Sequence, residues 1–171
     1  MDGKRPKIKV PFTTADKALE VSGGIALLLL WALVIYFYPK LPDIVPIHFN
    51  FNGEADGFGD RQTMFLLPVI GTLLFMVLTA LSLYPHTFNY PVKITEDNAL
   101  RQYTIAVRMM RFLKLGVIIL FGIIEYGTIR TAIQQAQGLG RGFIFLVFAL
   151  VLVPVFYSLV QSASQKNKSV S

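Results

Sequence analysis

Three long stretches of this 171-residue chain, 21–38, 62–92 and 142–165, contain no Asp, Glu, Lys or Arg and are dominated by apolar side chains. Their apolar centres, 21–38, 64–84 and 143–160, each approach the roughly 20 residues that an α-helix needs to cross the hydrocarbon core of a bilayer. A fourth apolar run, 112–131, is interrupted by Lys114 near one end and Glu125 inside it. Lys114 can snorkel its head to the interface from that position. The expected fold is an all-α integral membrane protein: four antiparallel transmembrane helices, TM1 21–38, TM2 64–84, TM3 112–131 and TM4 143–160. A structured extracytoplasmic loop, 39–63, separates TM1 from TM2. Composition agrees: 15% of the residues are charged and mean hydropathy is +0.56, whereas a soluble domain carries about 25% charge. An ordinary soluble domain and a disordered chain are both excluded. With no cysteine, disulfides, thiol catalysis and thiolate metal sites are excluded too.

The basic residues give an orientation. The N-terminal tail holds Lys4, Arg5, Lys7, Lys9 and Lys17; the loop after TM2 holds Lys93, Arg101, Arg108, Arg111 and Lys114; the C-terminal tail holds Lys166 and Lys168. Only Lys40, Arg61, Arg130 and Arg141 fall on the other side. The richer side is expected to be cytoplasmic. The chain is therefore expected in the plasma membrane with both termini inside and the 39–63 loop outside. The net charge of +6 encodes topology, not nucleic-acid binding. The first apolar run is too long for a signal h-region and lacks a small-residue cleavage site, so it reads as a span. The polar end, 162–171, is expected to fray, and its Asn167-Lys168-Ser169 sequon falls on the inner side.

Inside, Thr95 is placed to cap a helix whose first turn holds Glu96 and Asp97. Leu100, Tyr103, Val107 and Met110 follow at helical spacing. The segment 85–111 is expected to be a cytoplasmic loop, extended over 88–92 because Pro91 disfavours helix at Tyr90, followed from Thr95 by an amphipathic interfacial helix leading into TM3, or a docking surface for a cytoplasmic protein.

The outer loop has the richest pattern. Pro42 and Pro46 keep it extended. Ile47, Phe49 and Phe51 then alternate with His48, Asn50 and Asn52, a period of two that sends apolar and polar sets opposite ways. Asn52-Gly53 marks a turn. The alternation predicts that the apolar three press on the bundle. Leu41-Pro42, Pro46, His48-Phe49-Asn50, Gly53, Asp56 and Gly59, set between two spans, resemble the membrane domain of unknown function numbered sixteen-forty-eight, found in the SdpI-like family. The stretch 88–95 and the helix from Asn98 to Tyr103 resemble the segment that follows in some members. That family takes its name from the immunity protein against a sporulation-delaying toxin. The resemblance implies a multi-pass membrane protein of immunity or envelope-sensing type.

Candidate ligand residues are His48, Asn50, Asp56, Arg61 and Glu125. His48, Asp56 and Asp60 also make a candidate divalent-metal set, since imidazole and carboxylates suit zinc. Asn50, Asn52, Glu54 and Asp56 offer alternating oxygens for calcium without matching the EF-hand spacing. The alternative is that His48 and Asp56 bond the loop backbone and hold its shape. No other cofactor is expected. Glu125 is the one acid within a span, and such a carboxylate defaults to a functional reading. Gly122, Glu125 and Thr128 share a face, so Glu125 is expected to point into the bundle, toward Arg61, His48 or Arg130. Gly71, Thr72, Thr79 and Ser82 read as a packing stripe in TM2, as do Ser22, Gly23 and Gly24 in TM1. Pro68 and Pro154 read as kinks or helix starts. The 138–142 glycines read as a turn, since a phosphate loop would end in Lys-Ser/Thr.

The residues show no Ser-His-Asp or His-Glu-x-x-His arrangement, so no catalytic residue is assigned and the reading leans away from an enzyme. Three functions are open: SdpI-like immunity or sensing of a peptide toxin or lipid-like ligand; a metal-dependent enzyme at the outer leaflet; a small transporter or subunit of a membrane complex, including a homo-oligomer. The expected surroundings are a lipid bilayer, with no nucleic acid.

Overall fold

The computed structural model describes residues 5–164. It contains four α-helices: α1 Thr14–Phe37, α2 Leu66–Leu81, α3 Glu96–Ala132 and α4 Phe143–Ala163. Two strands, β1 Ile44–Phe49 and β2 Ala55–Asp60, form an antiparallel hairpin between α1 and α2. The protein is therefore mostly helical, and the expectation of an all-α fold is corrected by this hairpin. Among the described residues three helical segments are long and apolar enough to cross a membrane: Thr14–Lys40, Arg61–Leu81 and Phe143–Ala163. These are the expected first, second and fourth spans. Leu28, Leu29, Leu73, Met76, Phe145 and Phe156 on them are exposed. A water-soluble fold does not carry so much contiguous apolar surface, whereas lipid solvates it.

Local chemistry sets the helix ends. Thr13 Oγ1 accepts from the Asp16 amide at 3.3 Å, and the Asp16 carboxylate accepts from the Thr13 amide at 3.0 Å. This reciprocal cap starts α1 well before the apolar run. Asp60 Oδ1 accepts from the Gln62 amide at 2.7 Å and opens a 3₁₀ turn, Arg61–Phe65, leading into α2. Pro68 lies in the first turn of α2, where amides lack intrahelical acceptors and a missing N–H costs little. Pro154 lies inside α4. Thr95 accepts no break: its amide donates to Asn98 Oδ1 at 2.9 Å, and the helix then runs unbroken for 37 residues. The expected inner amphipathic helix and the third apolar run are thus one rod. The contact face at its N-terminal end is Ala99, Gln102, Tyr103, Ala106 and Val107, all buried, while Leu100 is exposed.

α3 is the hub. It packs against α1, α2, α4 and β1. Small residues admit the close approaches expected of membrane helices. Gly71 of α2 faces Ile118 and Leu30, and Gly23 of α1 faces the Phe75 ring, whereas Gly24 meets nothing. Trp31 Nε1 donates to Thr72 Oγ1 at 3.0 Å across α1 and α2. Gln102 and Ser162 exchange hydrogen bonds between α3 and α4. Ser162 is buried there, which corrects the expectation of a frayed end from 162; the remainder of that tail, including the sequon, lies outside the described residues. At the hairpin end Val34, Leu41, Val45, Met64 and Ile129 form a buried apolar cluster.

Candidate functional site

The hairpin is built from two compensating irregularities. Pro46 pairs with Phe58 and His48 with Gly57, so Ile47 is an extra residue on β1; Phe49 then pairs with Ala55, so Asp56 is an extra residue on β2. Each bulge re-aims side chains. The result brings His48 Nδ1 to 2.5 Å from Asp56 Oδ1. Gly57 makes room, since a Cβ there would lie 2.9 Å from His48 Cβ. The bulges also overturn the expected alternation. Val45 and Pro46 are the buried pair, Phe49 is half-buried, and Ile47 and Phe51 are exposed, Phe51 by 89%.

The turn is held by Asn50. Its Oδ1 accepts from the amides of Asn52 and Glu54 at 2.9 and 3.1 Å, and its Nδ2 donates to Glu54 Oε2 at 3.0 Å. The tip is latched to the α3–α4 turn. Leu139 donates its amide to Gly53 O at 2.7 Å, and Glu54 bridges to Gly138. Gly53 has φ +77° and Gly138 φ +140°, and a Cβ on Gly138 would lie 1.9 Å from Gly53 O. Only glycine fits such a backbone at such a distance. The 138–142 turn expected from its glycines is therefore a receptor for the hairpin tip.

Beneath the hairpin lies a cavity of about 480 Å³. Pro46, Ile47 and Phe49 line it from β1, Met64 and Leu67 from the start of the second helical segment, and Leu139 and Phe143 from the far turn and α4. Its polar lining is His48, Thr63, Glu125 and Thr128. Glu125 is 2% exposed, and its Oε2 has no hydrogen-bond partner.

Of the five ligand candidates, His48 and Glu125 thus line one cavity, and Asp56 joins them through His48. Asn50 serves the turn. Arg61 turns away: it reaches Asp43 at 3.5 Å, donates to Leu41 O at 3.2 Å and lies over the Tyr38 ring at 5.3 Å. Arg130 donates to Gln135 O at 3.1 Å and lies over Tyr126. Asp60 caps the turn before α2. Among the described residues no three His, Asp or Glu side chains gather as a metal site. His48 and Asp56 bond each other, where the sequence suggested separate backbone bonds.

At the opposite end the structure shows a cluster that the sequence reading passed over. Asp16, with no exposed side-chain surface, meets Arg108 and Arg111 at 3.0 Å each. Arg111 also reaches Glu20 at 3.2 Å, and Lys114 reaches Glu20 at 2.5 Å and Thr79 Oγ1 at 2.8 Å. Lys114 is 2% exposed; it does not snorkel outward but is paired inside the bundle. The signal was present: Asp16 and Glu20 are four apart on α1, and Arg108, Arg111 and Lys114 are three apart on α3, so each set shares a face.

The Domain of unknown function (DUF1648) matches residues 25–72, which span α1 from its middle, the whole hairpin and the start of α2. An archaeal relative, an uncharacterized protein of Archaeoglobus fulgidus, is 30% identical over 162 residues, covering 85% of this chain and 86% of its own length. The chain belongs to the DUF1648 family. No solved structure matches it. Most of the cavity lining, from Pro46 to Leu67, comes from the matched segment; Glu125 and Thr128 come from the helix beyond it. The family and the apolar helices together fit a multi-pass membrane protein of unknown function.

Proposed function

We propose that this protein is a four-span membrane protein that receives an amphiphilic ligand at the outer surface, in the manner of SdpI-like immunity or envelope-sensing proteins. α3 is the fourth span in this reading. It is surrounded by the other three helices, which shield its Lys114 and Glu125 from lipid. The observation that carries the reading is Glu125. A buried carboxylate without a partner, set in a roomy cavity of apolar walls, is poor design for stability and good design for a site. The hairpin covers this cavity at one end of the bundle, and the described basic residues Arg5 and Lys9 lie toward the other end, beside Phe88 and Glu20. In this reading the hairpin is outside and both termini are cytoplasmic, which the excess of Lys and Arg in the sequence outside the 39–63 loop supports.

The chain has no cysteine, so each introduced cysteine is a unique label. A cysteine at Phe51 should react with an impermeant maleimide in intact cells, and one at Asp97 only after permeabilisation. The reverse pattern overturns the topology. For immunity or sensing, a strain lacking the gene is challenged with membrane-active peptides. Equal survival with the gene absent, restored, or restored as H48A speaks against that role.

A further inference from the structure

Two carboxylates among the described residues are buried, Asp16 and Glu125. The chain treats them differently. Asp16 is given two arginines, Arg108 and Arg111. Glu125 is given no hydrogen bond to Oε2, and Arg61 and Arg130 are spent elsewhere. Arg61 is held by Asp43, Leu41 O and Tyr38, and Arg130 by Gln135 O and Tyr126. Taking a carboxylate out of water is costly unless a cation or a proton compensates it. Here the compensating cation is absent from the described chain, while space of about 480 Å³ is left beside the acid.

We propose that the cavity beneath the hairpin binds a primary ammonium group carried on an apolar chain, with Glu125 as its counter-charge. This rests on the cavity being a ligand site, as argued above. Three features select the chemistry. An ammonium supplies the missing charge, which an alcohol does not, and a carboxylate ligand would repel Glu125. A primary ammonium has three N–H donors, and Thr128, one turn along the same face and also lining the cavity, offers a hydroxyl acceptor beside the carboxylate. The walls of Pro46, Ile47, Met64, Leu67 and Phe143 suit the hydrocarbon part. Such a group reaches the site on a free alkylamine or on an aminolipid headgroup.

The test uses the full chain in nanodiscs of phosphatidylcholine, which has no N–H donor. Radiolabelled dodecylamine is titrated, with dodecanol, dodecanoate and dodecyltrimethylammonium as competitors and empty nanodiscs as background. Dodecylamine should bind at least about tenfold more tightly than each competitor, the scale of a desolvated ion pair, and E125Q should abolish that preference. Equal binding of dodecanol, or an amine preference that survives E125Q, overturns the proposal. The competitor series in the unmodified chain decides the question even where E125Q misfolds. If one of the uncharged or anionic chains binds as well as the amine, the cavity is a site and only the ammonium assignment fails. If no member of the series binds above background, the ligand-site reading fails with it. Adding phosphatidylethanolamine separates the sources: loss of dodecylamine binding by competition supports an aminolipid, and persistence supports a free amine.

Discussion

Lys114 and Glu20 meet at 2.5 Å between α3 and α1, and the same ammonium bonds Thr79 of α2. One side chain thereby ties three helices together. Because Lys114 is buried, its loss leaves Glu20 with Arg111 as its remaining cation. K114M should destabilise the protein by about 3 kcal/mol, the usual cost of breaking a buried pair from one side. Chemical denaturation in nanodiscs would measure it. In a double-mutant cycle, E20Q and K114M should couple by more than about 0.5 kcal/mol. Simple additivity would show that the contact carries no energy.

The hairpin latch rests on a glycine that no other residue can replace. G138A must accommodate a Cβ 1.9 Å from Gly53 O at φ +140°, so the tip should detach from the α3–α4 turn. The expected cost is about 2 kcal/mol or more, read as faster proteolysis of the hairpin in nanodiscs. G24A, whose Cβ meets nothing, should leave proteolysis unchanged.

Trp31 is the chain's one tryptophan, and its indole bonds Thr72 across α1 and α2. T72V should cost about 0.6–1.7 kcal/mol, the measured span for hydrogen bonds between membrane helices. Its emission should shift at the same time, since the indole loses its acceptor. An unchanged spectrum would mean that the bond is not formed.

Two phenols outside the spans should govern alkaline stability. Tyr90 is raised above the ordinary tyrosine value, first by burial and then by Tyr103 beside it, and Tyr103 is raised by burial. Both hydroxyls donate, to Pro85 O and Pro6 O. A raised value means the fold holds the proton more tightly than the unfolded chain does. That contribution is complete below about pH 10, where the unfolded phenol titrates, and is lost as pH climbs from there through the folded values. Stability should therefore fall on the alkaline side, less steeply in Y90F, and tyrosinate absorbance should show these two titrating late. A simultaneous titration of all seven tyrosines would contradict this.

The helices were legible because lipid imposes a length and a polarity that a sequence cannot hide. The hairpin turn was legible because Asn52-Gly53 is turn chemistry wherever it occurs. The face of the hairpin was misread, since a strict alternation from Ile47 to Asn52 presupposes an unbroken ladder, and the bulges at Ile47 and Asp56 shift the register. Glu125 was placed correctly in the interior, because a lone acid in an apolar run has few alternatives; Arg61 was misplaced, because its partners Asp43 and Tyr38 are closer in space than spacing reveals. The five-charge cluster was missed for a different reason. Arg108, Arg111 and Lys114 were weighed as topology signals, and a residue that sets orientation during insertion can still end up paired inside the bundle.

The unbroken run of α3 has a mechanical consequence. At 1.5 Å per residue its 37 residues make a rod of about 55 Å, well beyond a hydrocarbon core of about 30 Å. Glu125 sits near one end of it and Gln102 and Tyr103 near the other. A rotation of about 5° at Glu125 displaces Tyr103, roughly 33 Å away along the unbroken rod, by about 3 Å. That is enough to part Tyr103 from Pro6 O, so the rod can act as a lever through which an event at the cavity moves atoms at the opposite end of the bundle.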